Sequence, residues 1–450
     1  MQSRIESVQV STFCFGAFIF FLLDFFLRFP ARIPGYGSIR PTLLELSLIS
    51  LLLFLQKDKL KGRADDPIFK AIIVLIAYIV ITIPFVEWPG SVLRVNAKDF
   101  VSAIVFFIFT ALIVDSEKRL KITVGVFLAC QLFRVFEPLF MNLTTGYMGS
   151  ATHLGGGDFA GRLSGAPADV INPNELGFVI VTAIPFLHYL LLPRGWKGML
   201  LYGLLLAPML YALILTMSRG AFIALLVVAW MVFKESKRKW LLLLVVPVIA
   251  AIGWSTMSPL QKDRYLSLID GDTTGGASVE GRLQGMVNEF KLGLNRPIVG
   301  HGVGTTPEAK VNVMGGRRQA SHNLYAELLI EIGIIGAILF LRYLFAIYQL
   351  FRKNVEAVSR LGLQQTDFLS GLNKTFVTLF WMYAVYSLNY WGLSQYYWYF
   401  LGGLVLVYGR LLQKRAELKK QPSPEAISMR PLSNLVPPGG RRLTRRESEI

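Results

Sequence analysis

The chain has 450 residues, of which 53% are hydrophobic and 13% aromatic, and its formal net charge is +17. This composition, with its long apolar runs, indicates a polytopic membrane protein and excludes an ordinary soluble domain, whose surface could not be built from it. Cys14 and Cys130 are the only cysteines and both lie inside apolar runs, which excludes a disulfide framework and a thiolate zinc site.

Twelve apolar stretches are long enough to cross about 30 Å of hydrocarbon. They cover residues 10–29, 40–56, 68–86, 99–115, 119–141, 174–192, 197–217, 219–234, 239–257, 322–350, 373–389 and 391–412. No small-residue cleavage site follows the first, so we read it as a retained helix and not as a signal peptide. The seventh and eighth form either a hairpin or one broken element. The sequence therefore predicts an all-α integral membrane protein with about twelve transmembrane helices.

Lysine and arginine collect in alternate loops, near residues 57–63, 118–121, 194–197, 234–239 and 352–374. Because short loops rich in these residues stay in the cytoplasm during insertion, this set and the tail after residue 412 are predicted to be cytoplasmic. Topology and tail explain much of the net charge, and nucleic acid need not be invoked. The tail is rich in proline, serine and arginine and is predicted to be disordered.

This topology places two long loops, 142–173 and 258–321, on the external face. The second contains an apolar stripe at helical spacing, formed by Leu283, Met286, Val287, Phe290 and Leu294. We expect an amphipathic helix there, lying against the bundle or the outer leaflet and ending at Asn295-Arg296-Pro297. The following glycines, 300, 302 and 304, predict a tight turn. They are not a dinucleotide-binding fingerprint, because their spacing is G-x-G-x-G and no strand-helix-strand unit surrounds them.

His322 begins the tenth stretch, at its external mouth, where an imidazole can accept a proton at neutral pH. A lone histidine there is more often an interfacial group bonded to a carbonyl. However, Asn323, Glu327 and Glu331 follow at i, i+4 and i+8 and share one helix stripe. Ionisable groups at such depth usually face a bundle interior or a wet cavity. A buried glutamate kept for packing remains an alternative, for Glu331 in particular.

Three arginines are further candidates on the external face. Arg219 stands between two apolar stretches among the small residues Ser218, Gly220 and Ala221, which allow close approach of a ligand. Arg282 flanks the apolar stripe of the predicted amphipathic helix, and Arg162 lies in a loop ending in a predicted helix cap. Each alone has an ordinary explanation in snorkelling or solvation. Together with His322 they indicate an anionic, phosphate-bearing ligand beside a proton transfer.

The acidic cluster of the long loop is a poor metal site. It consists of Asp263, Asp270 and Asp272, and the stretch from 270 resembles a calcium loop only in its first half, since Gly281 stands where a bidentate glutamate belongs. We predict a flexible, solvated loop there, with no metal and no cofactor.

Four motifs together resemble a known family. They are the SRG turn at 218–220, the GR of the long loop, NRPIVGHGVG at 295–304 and SHNLYAELLIEIGIIG at 321–336. This combination resembles the O-antigen ligase and polymerase superfamily of bacterial envelopes. The WP at 88–89 and GRLSGAPADVINPNELG at 161–177 fit the same pattern.

The resemblance implies a membrane-embedded glycosyltransferase of C-type fold, using a glycan on a polyprenyl diphosphate as donor. It implies a catalytic role for His322 and diphosphate contacts by Arg219, Arg282 and Arg162. Asn323 and Glu327, in the same motif, are further predicted substrate contacts. Residue chemistry agrees, since an imidazole can act as a general base and guanidiniums can stabilise a leaving diphosphate. The implied partners are the lipid-linked donor, a glycan or lipid A-core acceptor, and membrane lipid.

Several functions remain open. The acceptor is lipid A-core in a ligase, another lipid-linked repeat in a polymerase, or a hydroxyl of a protein in an O-oligosaccharyltransferase. A non-catalytic polysaccharide transporter or flippase also places charges in a bilayer cavity, and a structural or sensory component needs no catalysis. The predicted location is the bacterial inner membrane, with the active face periplasmic.

Five segments are predicted. Residues 1–141 and 142–257 hold the N-terminal and central transmembrane helices, 258–321 the external loop, 322–412 the C-terminal helices and 413–450 the tail.

Overall fold

The computed structural model describes residues 9–155, 158–266, 276–364 and 366–420. Within these ranges, the side chains of residues 152–155, 158, 276–280, 282 and 420 lie outside the description. Asp270, Asp272 and residues 421–450 of the predicted tail are outside the described residues altogether.

The described ranges contain seventeen α-helices. They are α1 (Thr12–Leu27), α2 (Phe29–Arg32), α3 (Pro41–Leu55), α4 (Pro67–Thr82), α5 (Pro89–Ser91), α6 (Ala97–Ile113), α7 (Glu117–Thr145), α8 (Pro173–Leu191), α9 (Gly195–Thr216), α10 (Arg219–Glu235), α11 (Lys239–Thr256), α12 (Pro259–Leu266), α13 (Gly276–Asn295), α14 (Thr306–Asn312), α15 (Leu324–Leu361), α16 (Phe368–Tyr386) and α17 (Tyr396–Lys420). Short 3₁₀ turns cover Tyr36–Ile39, Lys57–Leu60, Ile83–Phe85 and Leu192–Arg194, and a π-helical turn covers Val92–Asn96.

The predicted all-α, multi-pass membrane architecture is confirmed at this level. Each of the twelve predicted stretches overlaps one long helix. By length and composition, six stretches of the described chain can cross a membrane, and one of them, Pro173–Thr216, contains both α8 and α9. Two shorter apolar helices are Thr12–Leu27 and Pro41–Leu55. The number of twelve crossings and the external position of the long loop stay predictions.

The core runs through most of the long helices and is largely aromatic where α6, α15 and α17 pack together. Trp398, Tyr343, Tyr397 and Tyr399 are fully buried, and the rings of Tyr343 and Tyr399 stack at 6.2 Å. In contrast, no residue of α11 is buried, and its apolar side chains point outward. In a bilayer such a surface faces lipid, which is as apolar as the side chains themselves.

A β-hairpin departs from the all-α expectation in the first long loop. Strands β1 (Gly149–Gly155) and β2 (Asp158–Leu163) pair antiparallel, with Gly149 opposite Leu163 and Ser150 opposite Arg162. The sequence signal was weak because the strands are short, glycine-rich and interrupted by an irregularity between His153 and Gly155. After the hairpin, Asn172 and Glu175 form a capping box that starts α8.

Helix α15 is broken at Gly333, whose φ of 66° and ψ of −174° suit glycine alone. The segment 297–302 runs beside the break and satisfies the freed backbone groups. The amide of Ile334 donates to the carbonyl of Pro297 at 2.6 Å, and the amide of His301 donates to Ile330 at 2.7 Å. A Cβ at Gly333 would lie 2.3 Å from the carbonyl oxygen of Ile298. The glycines at 300–304 therefore form a segment inserted against α15, where the sequence predicted only a tight turn.

The predicted amphipathic helix is present as α13, and it ends at Asn295 as expected. Leu283, Val287 and Leu294 of its apolar stripe are exposed, whereas Glu289 and Leu292 on another face are buried. Gly293 packs closely on α15, because a Cβ there would meet Leu329 at 2.8 Å. Helix α13 therefore packs on the bundle through a face beside the predicted stripe, of which Met286 and Phe290 are half-buried and the other three residues exposed.

Candidate active site

The SRG motif forms the turn between α9 and α10. Met217 ends α9 in a left-handed conformation, with φ 47°, and the Ser218 hydroxyl accepts from the amide of Ala221 at 3.3 Å to cap α10. Arg219 is the first residue of α10 and is only 5% exposed. The turn is held close to α8, since a Cβ at Gly177 would lie 2.6 Å from that of Ala221. The small residues around Arg219 thus serve helix packing as well as access.

Two further arginines hold the carbonyls that precede Arg219. Arg162 Nε donates to the carbonyl of Thr216 at 2.8 Å, and Arg264 Nε donates to the carbonyl of Met217 at 3.0 Å. Tyr265 lies nearby, and burial raises its pKa to about 12 although Arg162 and Arg264 oppose the shift. Arg162 also donates to Asn174 Oδ1 at 3.0 Å. Arg162 is therefore a buried support that joins β2, α8 and α9.

In the segment before α15, His322 is exposed, whereas the residues on either side of it are buried and hydrogen-bonded. Ser321 and Asn323 are each 1% exposed, whereas His322 is exposed. The Asn323 side chain accepts from the amides of Tyr325 and Ala326 and donates to the carbonyl of Leu388 at 3.2 Å. The backbone around the imidazole is thus anchored on both sides.

One cavity of about 470 Å³ joins these elements. That volume lies within the usual range of roughly 300–1,000 Å³ for small-molecule sites. Its lining comes from α8 (Asn174), the SRG turn (Ser218 and Gly220), α13 (Gly281, Gly285, Met286 and Glu289), the segment before α15 (Arg317, Gln319 and His322) and the end of α16 with the following turn (Tyr386 and Asn389). Residues more than 200 positions apart in the sequence therefore meet at one place.

Of the predicted site residues, His322 lines the cavity directly. Arg219 lies between the lining residues Ser218 and Gly220. Arg282 stands next to the lining residue Gly281 in α13, and its side chain lies outside the described part. Arg162, Asn323 and Glu327 are not among the lining residues, so their roles as substrate contacts stay predictions.

The two glutamates of the His322 motif accept hydrogen bonds from backbone amides. Glu327 Oε2 accepts from Gly392 at 2.7 Å and from Leu393 at 3.2 Å. Glu331 accepts from the amide of Gly304 and the hydroxyl of Thr306, both at 2.7 Å. Irregular backbone inside a membrane protein needs such partners. Glu327 and Glu331, which share one helix stripe, therefore hold the backbone at 392–393 and at 304–306 against α15.

Sequence reasoning missed Glu289, Lys310 and Ser321, which form a buried network beside His322. Glu289 accepts from Lys310 Nζ at 2.5 Å and from the Ser321 hydroxyl at 2.6 Å, and Lys310 also donates to the carbonyl of Ala320. Glu289 lines the cavity as well. A signal was available, because Gly281, Gly285 and Glu289 follow at i, i+4 and i+8, the same spacing as on α15.

Residues 204–341 match the family model described as O-antigen ligase. The matched stretch is similar to an O-antigen ligase domain. It begins within α9 and ends within α15, so it contains the SRG turn, α13 and His322 but not Arg162. The match confirms the resemblance to the O-antigen ligase superfamily, a family of glycosyltransferase-type enzymes. A search of curated proteins returned no match.

The buried pair of Glu289 and Lys310 gives a prediction about stability. Glu289→Ala leaves Lys310 buried without its carboxylate, and breaking a buried pair in this way costs roughly 3–5 kcal/mol. Thermal unfolding in nanodiscs is therefore expected to occur at lower temperature. Glu356→Ala is the matched control, because that glutamate pairs with Arg360 on an exposed surface.

A second variant separates stability from positioning of His322. Glu289→Leu combined with Lys310→Met replaces the pair by apolar groups, which is often neutral for stability. We expect normal unfolding but impaired glycan transfer, since Ser321 loses the carboxylate that it contacts. Full transfer activity in this double variant contradicts a positioning role.

Proposed function

We propose that this chain transfers a glycan from a polyprenyl diphosphate carrier to an acceptor hydroxyl at the periplasmic face of the bacterial inner membrane. The observation that carries the proposal is the cavity of about 470 Å³, where His322 meets the turn of Arg219 and the helix of Arg282. The stretch that matches the O-antigen ligase model covers all three positions.

In the proposed reaction His322 is the general base. The acceptor oxygen attacks the anomeric carbon of the donor sugar while its proton passes to the neutral imidazole. The bond between that carbon and the diphosphate oxygen breaks, and polyprenyl diphosphate leaves. The exposed imidazole on an anchored backbone suits this task, because its ring can reach a ligand while the backbone stays fixed.

Arg219 and Arg282 stabilise the leaving group in this proposal. Negative charge grows on the diphosphate as the bond breaks, and guanidiniums already in position lower the energy of that state. Their planar forks can each contact two oxygens. The tight turn at Ser218 and the hydrogen bonds of Arg162 and Arg264 to the preceding carbonyls support a fixed position for Arg219. The proposed reaction uses neither metal nor cofactor.

The identity of the acceptor is tested by deleting the gene for this protein in its host and inspecting the surface polysaccharide. Unligated long chains on the lipid carrier indicate a lipid A-core ligase, and single repeats indicate a polymerase. Unchanged polysaccharide with altered glycoprotein indicates a protein O-oligosaccharyltransferase. Unchanged glycans of every class contradict the proposal. We expect one of the first two results.

A flippase is the second candidate, and the break in α15 at Gly333 favours it, since broken helices are common in transporters. Here, however, the break is filled by segment 297–302. Trapping both an inward-facing and an outward-facing state by crosslinking supports the flippase and contradicts a transferase with one fixed site.

A further inference from the structure

A second cavity of about 140 Å³ lies between α1, α7, α8 and the start of α17. Arg28 and Val170 stand at its edge, and Val170 is 85% exposed. None of the predicted site residues lines it. Its volume is well below the roughly 300–1,000 Å³ of sites for drug-sized ligands, so it suits a single small ring better than a lipid chain.

The second cavity adjoins the candidate active site. Asn174 lines the first cavity and Glu175 the second, and likewise Asn389 lines the first and Tyr390 the second. The wall between them is aromatic. Tyr386 lines the first cavity, and its ring centroid lies 5.2 Å from that of Tyr390. The rings of Tyr386 and Tyr390 therefore separate a ligand in the second cavity from the first.

The polar groups of the second cavity include both donors and acceptors. Arg28 is half exposed, with Nε 3.8 Å from Asp169. Arg134 is buried and makes a two-pronged contact with Asp169, at 2.6 and 3.2 Å. Glu175 accepts from the hydroxyl of Tyr390 at 3.2 Å. Arginine offers only donors and carboxylate only acceptors, whereas a hydroxyl is both. A ligand rich in hydroxyl groups matches this set.

Arg28 also has an unusual backbone. It follows α1 in the left-handed conformation, with φ 56°, which is uncommon for a residue other than glycine and is enriched at ligand sites. Its guanidinium lies 5.6 Å from the ring centroid of Phe25. These contacts keep the arginine at the edge of the cavity while half of its side chain stays accessible.

Aromatic rings form much of the remaining lining. Phe178 stacks on Tyr390 with centroids 5.6 Å apart and planes 24° apart, and Tyr396 and Tyr397 also line the cavity. Rings with a few convergent polar groups are typical of small-ligand sites. The flat carbon face of a sugar can pack on such rings while its hydroxyls meet Arg28 and Glu175.

We propose that the second cavity binds one sugar ring of the acceptor glycan, next to the sugar whose hydroxyl reacts beside His322. This inference rests on the proposed transferase function and adds the acceptor position to it. The donor is assigned to the first cavity because its diphosphate needs Arg219 and Arg282. The acceptor then reaches His322 past the wall of Tyr386 and Tyr390.

Sugar binding is tested first without any reaction. The full chain in nanodiscs is photolabelled with diazirine-bearing methyl glycosides of glucose, galactose and N-acetylglucosamine, and labelled residues are found by mass spectrometry. We expect saturable labelling at Phe25, Val170 or Gln395. Val170→Trp fills the edge from an exposed position and should abolish it, whereas Val170→Ala should not. Unsaturable labelling, or equal labelling in Val170→Trp, overturns the proposal.

The second test measures transfer to a glycan acceptor. Arg28→Ala removes a charged hydrogen-bond donor, so half-maximal rate should require about tenfold more acceptor, with the KM for donor and kcat nearly unchanged. Arg40→Ala is the matched control, since Arg40 is also left-handed, at φ 52°, and exposed outside both cavities. An unchanged requirement for acceptor, or a changed KM for donor, overturns the acceptor assignment.

The two tests separate the inference from the function on which it rests. If the wild type transfers no glycan but labels saturably in the second cavity, the proposed function fails and sugar binding stands. If transfer occurs and Arg28→Ala and Val170→Trp are both normal, the function stands and the second cavity is not the acceptor site.

Discussion

Replacing His322 with alanine is expected to lower the rate of glycan transfer by roughly 10²–10⁴-fold, the usual contribution of a positioned general base. The imidazole is exposed at the cavity and its backbone is anchored through Ser321 and Asn323. Alanine therefore removes the proton acceptor and leaves the anchoring contacts in place. Initial rates with a polyprenyl-diphosphate glycan, measured on protein in nanodiscs, give the effect directly.

The pH profile of the same reaction tests the role of base more sharply. A base works only in its neutral form, and protonation of the imidazole becomes favourable as the pH falls. Wild-type kcat/KM should therefore decline on the acid side, and the residual rate of His322→Ala should lack this decline. An identical acid limb in both proteins assigns the titration to another group.

Controls for His322 are needed because activity is also lost by misfolding. His188→Gln is a matched histidine change at the other end of α8, roughly 21 Å along the helix from Asn174. It should keep full activity. His322→Ala should accumulate and unfold like the wild type. If His322→Ala at normal abundance restores wild-type polysaccharide in a deletion strain, the mechanism is wrong.

Replacing Arg219 with lysine is expected to lower kcat by roughly 10²–10³-fold, the usual effect of removing one pre-positioned donor from a developing charge. Lysine keeps the charge but loses the planar fork that contacts two oxygens at once. Single-turnover rates with saturating donor measure the chemical step.

Arg194→Lys is the matched control, at an exposed position before α9. It should change neither the rate nor the KM. Because Arg219 is 5% exposed, the unfolding temperature of Arg219→Lys must be measured beside its rate. A stable Arg219→Lys variant with a rate within about threefold of wild type, where removal of one donor should cost 10²–10³-fold, rules out a specific diphosphate contact.

The long helices were predictable because the bilayer leaves the backbone little choice. An apolar stretch must satisfy its own amides and carbonyls, and a helix does so locally. The start of α8 follows from Pro173 and the Asn172 cap, both readable in the sequence. The end of α17 was not predicted correctly, since the helix continues to Lys420, beyond the predicted boundary at 412.

Irregular elements escaped prediction because their partners are distant in sequence. Gly333 looks like an ordinary helical residue until segment 297–302 supplies hydrogen bonds for the broken turn. The β-hairpin is similar, since its Arg162 is fixed by Thr216 and Asn174. No local pattern encodes these contacts.

By itself, the sequence determined that the chain is a multi-pass helical membrane protein, and it placed His322, Arg219 and Arg282 in motifs that resemble those of one family. Hydropathy carries the first result because it acts over one or two helical turns, and the resemblance rests on short motifs. Only the tertiary structure decided that these motifs share a cavity, that Glu327 and Glu331 hold loops, and that Glu289 supports Ser321. Those are contacts between helices, and they depend on how the helices pack and not on the period within any one of them.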